Sequence, residues 1–304
     1  MQGLSRRGFL QAAAAVAAAS VGNSGSALAA EPEPMRMGLL VSATNGPEKV
    51  MEYVRGFGIP TVHVSTSDFS RAMSKRLRDA LDSNGIEATA LVSSGPGEQK
   101  YDLYDGPITY GLVASPYRAQ RVDHLKRTSD FGKGLGIPVT FNQWGYIPEV
   151  PSAPLYEPTV KAVQEIAAHC KANGQIFVNE TGQETPVTLL RTILDTGMDN
   201  VKVVLDAANL ILYGKGSPVD SLDVIGKYVI GVHAKDGFYP TNPRYLGRQV
   251  ACGQGKVDWP RLIPGLKKLG YTGPITIEPV LGRDQRDQEI REDMAYLKKL
   301  IAES

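Results

Sequence analysis

Cysteine is almost absent from this chain of 304 residues, since only Cys170 and Cys252 occur, and two are too few for a disulfide framework. Cys170 sits in a helix-period stretch and reads as a small buried hydrophobe, while a single bridge between the two is left open. An excess of basic charge is missing as well: 33 Lys and Arg against 32 Asp and Glu give a formal net charge of +1. That balance argues against a nucleic-acid partner, which requires a basic patch or stripe. No G-x-G-x-x-G follows the first strand-like run, so a dinucleotide-binding open sheet has no support. Histidine is scarce at four residues, and no D-x-D pair is available for a second cation.

What is present begins with a leader. Ser5-Arg6-Arg7-Gly8-Phe9-Leu10-Gln11 precedes an alanine-rich run and the small-x-small pattern Ala27-Leu28-Ala29. The paired arginines followed by Phe-Leu resemble the bacterial twin-arginine export signal; an ordinary secretory signal is the alternative. The apolar run is shorter than the roughly 20 residues that a membrane anchor needs, and no cysteine stands nearby for lipid attachment. The reading is therefore a signal over residues 1–30, one domain over residues 31–304 and a periplasmic location.

Beyond the leader, short apolar runs alternate with helix-period segments to the end of the chain. Strands are expected at 37–41, 61–64, 86–92, 139–142, 176–179, 201–205, 229–232 and 274–277, each a continuous Val/Ile/Leu-rich run of the kind buried on both faces. Helices are expected at 70–84, 117–135, 157–173, 185–196, 260–269 and 288–302, several punctuated by Gly just past the end or Pro at the start. Eight βα units predict a (β/α)8 TIM barrel in the α/β class. Two long loops, 93–116 and 236–258, follow strands and so fall on the catalytic face. Their aromatics Tyr101, Tyr104, Tyr110, Phe238, Tyr239 and Tyr245 suit either the walls of a sugar site or packing on the barrel rim.

The last four strand runs each end in a metal-binding side chain: Glu180, Asp206, His233 and Glu278. A barrel gathers its C-terminal strand ends on one face, and three carboxylates with one imidazole make a shell for one divalent cation. A helix cap is the alternative role for Asp206, because Asp caps well.

The segments around these residues carry a resemblance. Glu180-Thr181-Gly182-Gln183-Glu184-Thr185, Leu205-Asp206-Ala207-Ala208-Asn209, Val232-His233-Ala234-Lys235-Asp236, Gly253-Gln254-Gly255-Lys256-Val257-Asp258-Trp259 and Gly270-Tyr271-Thr272-Gly273-Pro274-Ile275-Thr276-Ile277-Glu278 resemble the xylose-isomerase-like barrel superfamily, in its sugar phosphate isomerase/epimerase branch. The resemblance implies that Glu180, Asp206, His233 and Glu278 hold the cation, with Mn²⁺ first and Mg²⁺, Co²⁺ or Zn²⁺ as alternatives. It further implies that Glu180 and Glu278 transfer a proton next to a carbonyl whose enediolate the metal stabilises. Glu184, Lys235, Asp236, Arg248 and His63 are substrate-binding candidates, with His63 placed toward the site mouth. Asn209 is another, and a departure: ketose 3-epimerases of this superfamily carry a histidine at that place, and asparagine bears no charge. The expected activity is isomerisation or epimerisation of a keto-sugar or polyol. A 3-keto-glycoside lyase using the same chemistry and a non-catalytic sugar-binding barrel are the alternatives, and a homo-oligomer is left open. An abasic-site endonuclease would need further histidines on early strands, where His63 stands alone.

Overall fold

Residues 35–282 and 284–304 are described by the computed structural model; the leader reading for residues 1–30 and the start of the expected domain at 31–34 lie outside the described residues. Strands β1 (Met37–Ser42), β2 (Thr61–Ser65), β3 (Glu87–Val92), β4 (Val139–Asn142), β5 (Ile176–Glu180), β6 (Val201–Asp206) and β7 (Val229–Ala234) alternate with helices. β8 (Asp236–Gly237) and β9 (Gln249–Val250) make a small antiparallel pair, and β10 (Ile275–Ile277) completes the barrel. The closed order is β1-β10-β7-β6-β5-β4-β3-β2, with every barrel pair parallel. This is a TIM barrel, as the alternating pattern predicts, and each of the eight barrel strands lies within two residues of its expected bounds.

Local chemistry sets the helix ends. The side chains of Ser70, Thr185 and Asp258 accept hydrogen bonds from the backbone N–H groups of Met73, Thr188 and Arg261 at three helix starts. Gly85 and Gly136 stop the helices Arg71–Asn84 and Arg118–Leu135 in the left-handed conformation, at φ 63° and 75°. Among the described residues, four α-helices stand outside the expected set: Pro47–Gly56, Gly106–Thr109, Ala207–Leu212 and Pro218–Ile225. Ala207–Leu212 has six residues and is buried throughout, so it shows no polar face by which periodicity reveals a helix.

The two faces of each strand serve different cores. Phe177, Val203 and Leu205 join the large cluster under the helices, whereas Ala90, Val139, Phe141, Val178 and Val204 form a separate cluster inside the barrel. Fully burying one such aliphatic side chain stabilises the fold by about 1.5–3 kcal/mol. Both cysteines are buried and free. Among the described residues, no helix is long and apolar enough to cross a membrane.

The long loop at 93–116 is held by one buried cation. The Arg121 guanidinium, 1% exposed, donates to the carbonyls of Pro96, Gly111 and Glu98 at 3.0, 2.7 and 2.8 Å. Its cation also lies 4.8 Å from the centre of the Tyr117 ring. Across the mouth, Leu103 N–H donates to the Arg244 carbonyl at 3.0 Å, which joins this loop to the one at 236–258. Arg121→Met leaves buried carbonyls without donors, and we expect it to cost about 3 kcal/mol in a denaturant titration. Limited proteolysis should then cut first within 93–116; cleavage elsewhere with no loss of stability would contradict this role.

Candidate metal centre

Strand pleat and register bring the four strand-end residues together. Val178 and Val204 face the barrel interior, so Glu180 and Asp206, two residues further along, share that face at the C-terminal strand ends. Asp206 pairs across the sheet with His233, and His233 with Thr276, two residues before Glu278. One ligand atom from each of Glu180, Asp206, His233 and Glu278 lies within 4.8 Å of the others. The first three are buried, and the Glu278 side chain remains 27% exposed.

The imidazole of His233 is gripped from both sides. Its Nδ1 lies 2.5 Å from Glu180 Oε1 and 3.4 Å from Glu278 Oε2, and its Nε2 lies 2.8 Å from His63 Nδ1. His63 is 2% exposed and stands behind His233 inside the barrel, which corrects its expected place at the site mouth. A Cβ at Gly231 would press on Val204 at 3.1 Å and reach only ordinary contact with His63 Cε1 at 3.5 Å.

Asp206 caps a helix and also belongs to the cluster. Its Oδ1 accepts the Asn209 N–H at 2.8 Å and caps Ala207–Leu212, while its buried Oδ2 accepts no hydrogen bond. Lys235 Nζ lies 3.0 Å from that oxygen without hydrogen-bonding alignment, and 2.9 Å from Glu278 Oε2. Glu180 Oε2 accepts from Gln143 Nε2, whose Oε1 accepts the Tyr110 hydroxyl.

Burial and charge pull the titrations apart. Burial alone would lower His233, but Glu180 and Glu278 outweigh it and raise the imidazole to about 10. Burial raises Asp206 to about 7 despite Lys235. Burial also acts to raise Glu278, yet Lys235 and His233 hold it well below the usual carboxylate range. Burial pushes Glu184 up to about 8; one of its oxygens accepts Asn179 Nδ2 at 2.8 Å, and the other has no partner.

The remaining substrate-binding candidates lie as follows. Asn209 and Lys235 are buried beside the cluster. Asp236 is occupied by its own loop: Oδ1 accepts the Gly237 and Val257 N–H groups at 2.7 and 2.9 Å, and Oδ2 accepts that of Gly253 at 3.0 Å. Arg248 is exposed, with its guanidinium 4.7 Å from the centre of the Phe238 ring. Tyr110 is buried, while Tyr101, Tyr104, Tyr239 and Tyr245 are exposed. Gln143 went unread in the sequence although it directly follows β4. The strand-end rule that singled out Glu180 would have found it.

These residues fit a divalent cation. Three carboxylates and an imidazole suit a hard to borderline ion, and Asp206 Oδ2, buried with Lys235 Nζ 3.0 Å away but with no aligned hydrogen bond, has a lone pair that a cation could take.

The sequence profile of the xylose isomerase-like TIM barrel family matches residues 51–300. The chain belongs to this family. The crystal structure of a xylose isomerase domain protein from Planctomyces limnophilus is 31% identical, with a TM-score of 0.83, covering 89% of this chain and 100% of that one. A D-psicose 3-epimerase solved in the presence of D-fructose shares 18% identity at a TM-score of 0.67, covering 88% of this chain and 99% of that one. A xylose isomerase-like TIM barrel protein from Mycobacterium smegmatis, in complex with magnesium, shares 17% identity at a TM-score of 0.66, covering 89% and 97%. At these lower identities the likeness is one of fold. An uncharacterized protein of Methanocaldococcus jannaschii is 30% identical over 122 residues, or 39% of this chain, and the match spans 40% of that relative's length.

Two measurements probe the xylose isomerase-like centre. His63→Phe removes the partner of His233 Nε2 and should weaken Mn²⁺ binding about tenfold or more by calorimetry; unchanged affinity would make His63 a packing residue. Glu184, raised from 4.5 to about 8, keeps in the folded chain a proton that the unfolded chain has released. Its contribution to stability therefore falls as pH rises through that window. Glu184→Gln should raise the melting temperature more at about pH 9 than at about pH 5; an equal shift at both would rule this out.

Proposed function

We infer that this xylose isomerase-like barrel is a divalent-metal-dependent isomerase or epimerase acting on a keto-sugar or related polyol, by proton transfer at the carbon beside a carbonyl. The observation that carries the reading is the convergence of Glu180 and Glu278 with Asp206 and His233 within 4.8 Å at the strand ends. Family membership and structural neighbours such as D-psicose 3-epimerase and L-ribulose 3-epimerase support it. We favour Mn²⁺, because carboxylate oxygens and imidazole together suit it.

A cation held by these four residues supplies Lewis acidity to a carbonyl oxygen and its neighbouring hydroxyl. The protein's own groups do the rest. Glu278 is ionised and the more exposed of the two carboxylates, so a substrate can reach it as a proton acceptor, while Lys235 and His233 lower its basicity. Glu180, fixed by Gln143 and His233, is the second base, able to return a proton from another direction. Glu184, kept neutral by burial, offers an O–H to a substrate hydroxyl. Asn209 in place of histidine argues against simple ketose 3-epimerisation. The leader residues Arg6 and Arg7 support twin-arginine-type export to the periplasm, where a free sugar is a better substrate than a sugar phosphate.

The test is deuterium exchange. Metal-loaded protein incubated with ketoses and keto-glycosides in D₂O should label the carbon beside the carbonyl, as read by NMR, and chelation should abolish the exchange. Glu180→Gln and Glu278→Gln should each slow it by about 10²–10⁴-fold. Absence of exchange with every such compound would remove the reading.

A further inference from the structure

A cavity of about 690 Å³ opens beside the metal centre but over the other half of the barrel, at the ends of β1, β2 and β3. Glu278 belongs both to its lining and to the four-residue cluster, so the cavity adjoins the cluster at that side chain. One hexose seated against Glu278 would leave much of this volume to water.

The lining has a definite chemistry. Ser42, Thr44, Ser65, Ser67, Ser93 and Ser94 place hydroxyl groups along it, where strands β5, β6 and β10 end in or just before carboxylates. Ser93 Oγ lies 2.7 Å from His124 Nε2, which fixes the imidazole at the cavity wall. Tyr53 adds an aromatic wall and donates its hydroxyl to Asp287 at 2.5 Å. Among the described residues of the lining, Arg286 is the only Arg or Lys, and it is exposed. A phosphate or carboxylate ligand would call for convergent cations. Neutral hydroxyls, an aromatic ring and the aliphatic side chains of Leu40, Val50 and Ile290 in one lining instead match the alternating polar and apolar surface of a sugar.

We propose that this hydroxyl-lined trough is a second sugar subsite, and that the substrate is a neutral glycoside of two units whose keto unit sits at the metal centre. The choice of reacting unit rests on the enzymatic reading above; binding of the second unit does not.

The experiment has two arms. In the first, saturation-transfer NMR measures binding of methyl glucoside and of maltose, cellobiose, sucrose and trehalose to the metal-loaded full chain. At least one disaccharide should bind about tenfold or more tighter than methyl glucoside, an increment of about 1.4 kcal/mol. Ser42→Phe and Ser67→Phe, both at exposed positions, should fill the trough and remove that preference, and Ser93→Ala should weaken it. In the second arm, D₂O exchange compares methyl 3-keto-glucoside with the 3-keto form of the preferred disaccharide. The phenylalanine variants should lower kcat/KM for the disaccharide far more than for the methyl glycoside. Equal affinity for one-unit and two-unit sugars, or a preference that survives the filled trough, overturns the subsite even if exchange occurs. A preference lost on filling, with no exchange on either keto compound, supports the subsite and counts against the enzymatic reading instead.

Discussion

Three carboxylates cannot share a buried point without compensation. Inside a protein their repulsion is far stronger than in water, and here Glu180, Asp206 and Glu278 meet within 4.8 Å. The surrounding structure answers this constraint. Lys235 spans Asp206 and Glu278, His233 bridges Glu180 and Glu278, and Gln143 and the Asn209 N–H take further lone pairs. Even so, Asp206 Oδ2 accepts no aligned hydrogen bond from Lys235, and burial drives its carboxyl toward the neutral form. A site so arranged gains most from one additional positive charge, which is the physical case for a dication.

The barrel divides its catalytic face by chemistry. Glu180, Asp206, His233 and Glu278 supply charge from the later strands, while β1 and β2 end in Ser42 and Ser65 and Ser93 directly follows β3. Over both halves lie two loops that use polar residues for their own order. Arg121 collects three carbonyls of one loop and Asp236 three amides of the other. Rigid support of this kind lets a loop form a wall of constant shape above reactive groups.

Much of this was legible before any coordinates. The eight barrel strands could be read because parallel strands buried on both faces are near-continuous apolar runs, each bounded by turn or helix signals. Glu180 and Glu278 stood out because glutamate caps helices poorly and has little reason to end a buried strand. Asp206 could not be assigned to one role, and the structure shows why: its two oxygens serve a helix cap and the cluster separately. His63, Asp236 and Gln143 were harder. A strand-end position does not say whether a side chain lies above or behind its neighbours, and Asp236 reads in sequence like a site residue because its backbone partners are up to 21 positions away.

By itself, then, the sequence determined the alternation of elements, the closed barrel and the order in which ligand-type residues reach its C-terminal face, because pattern and strand period are local properties of the chain. Only the tertiary structure decided the rest: that His63 backs His233, that Lys235 sits between two carboxylates, and that a serine-lined cavity adjoins Glu278. Those facts depend on the stagger between strands and on side chains from opposite sides of the barrel, and no local pattern encodes distances across a closed ring.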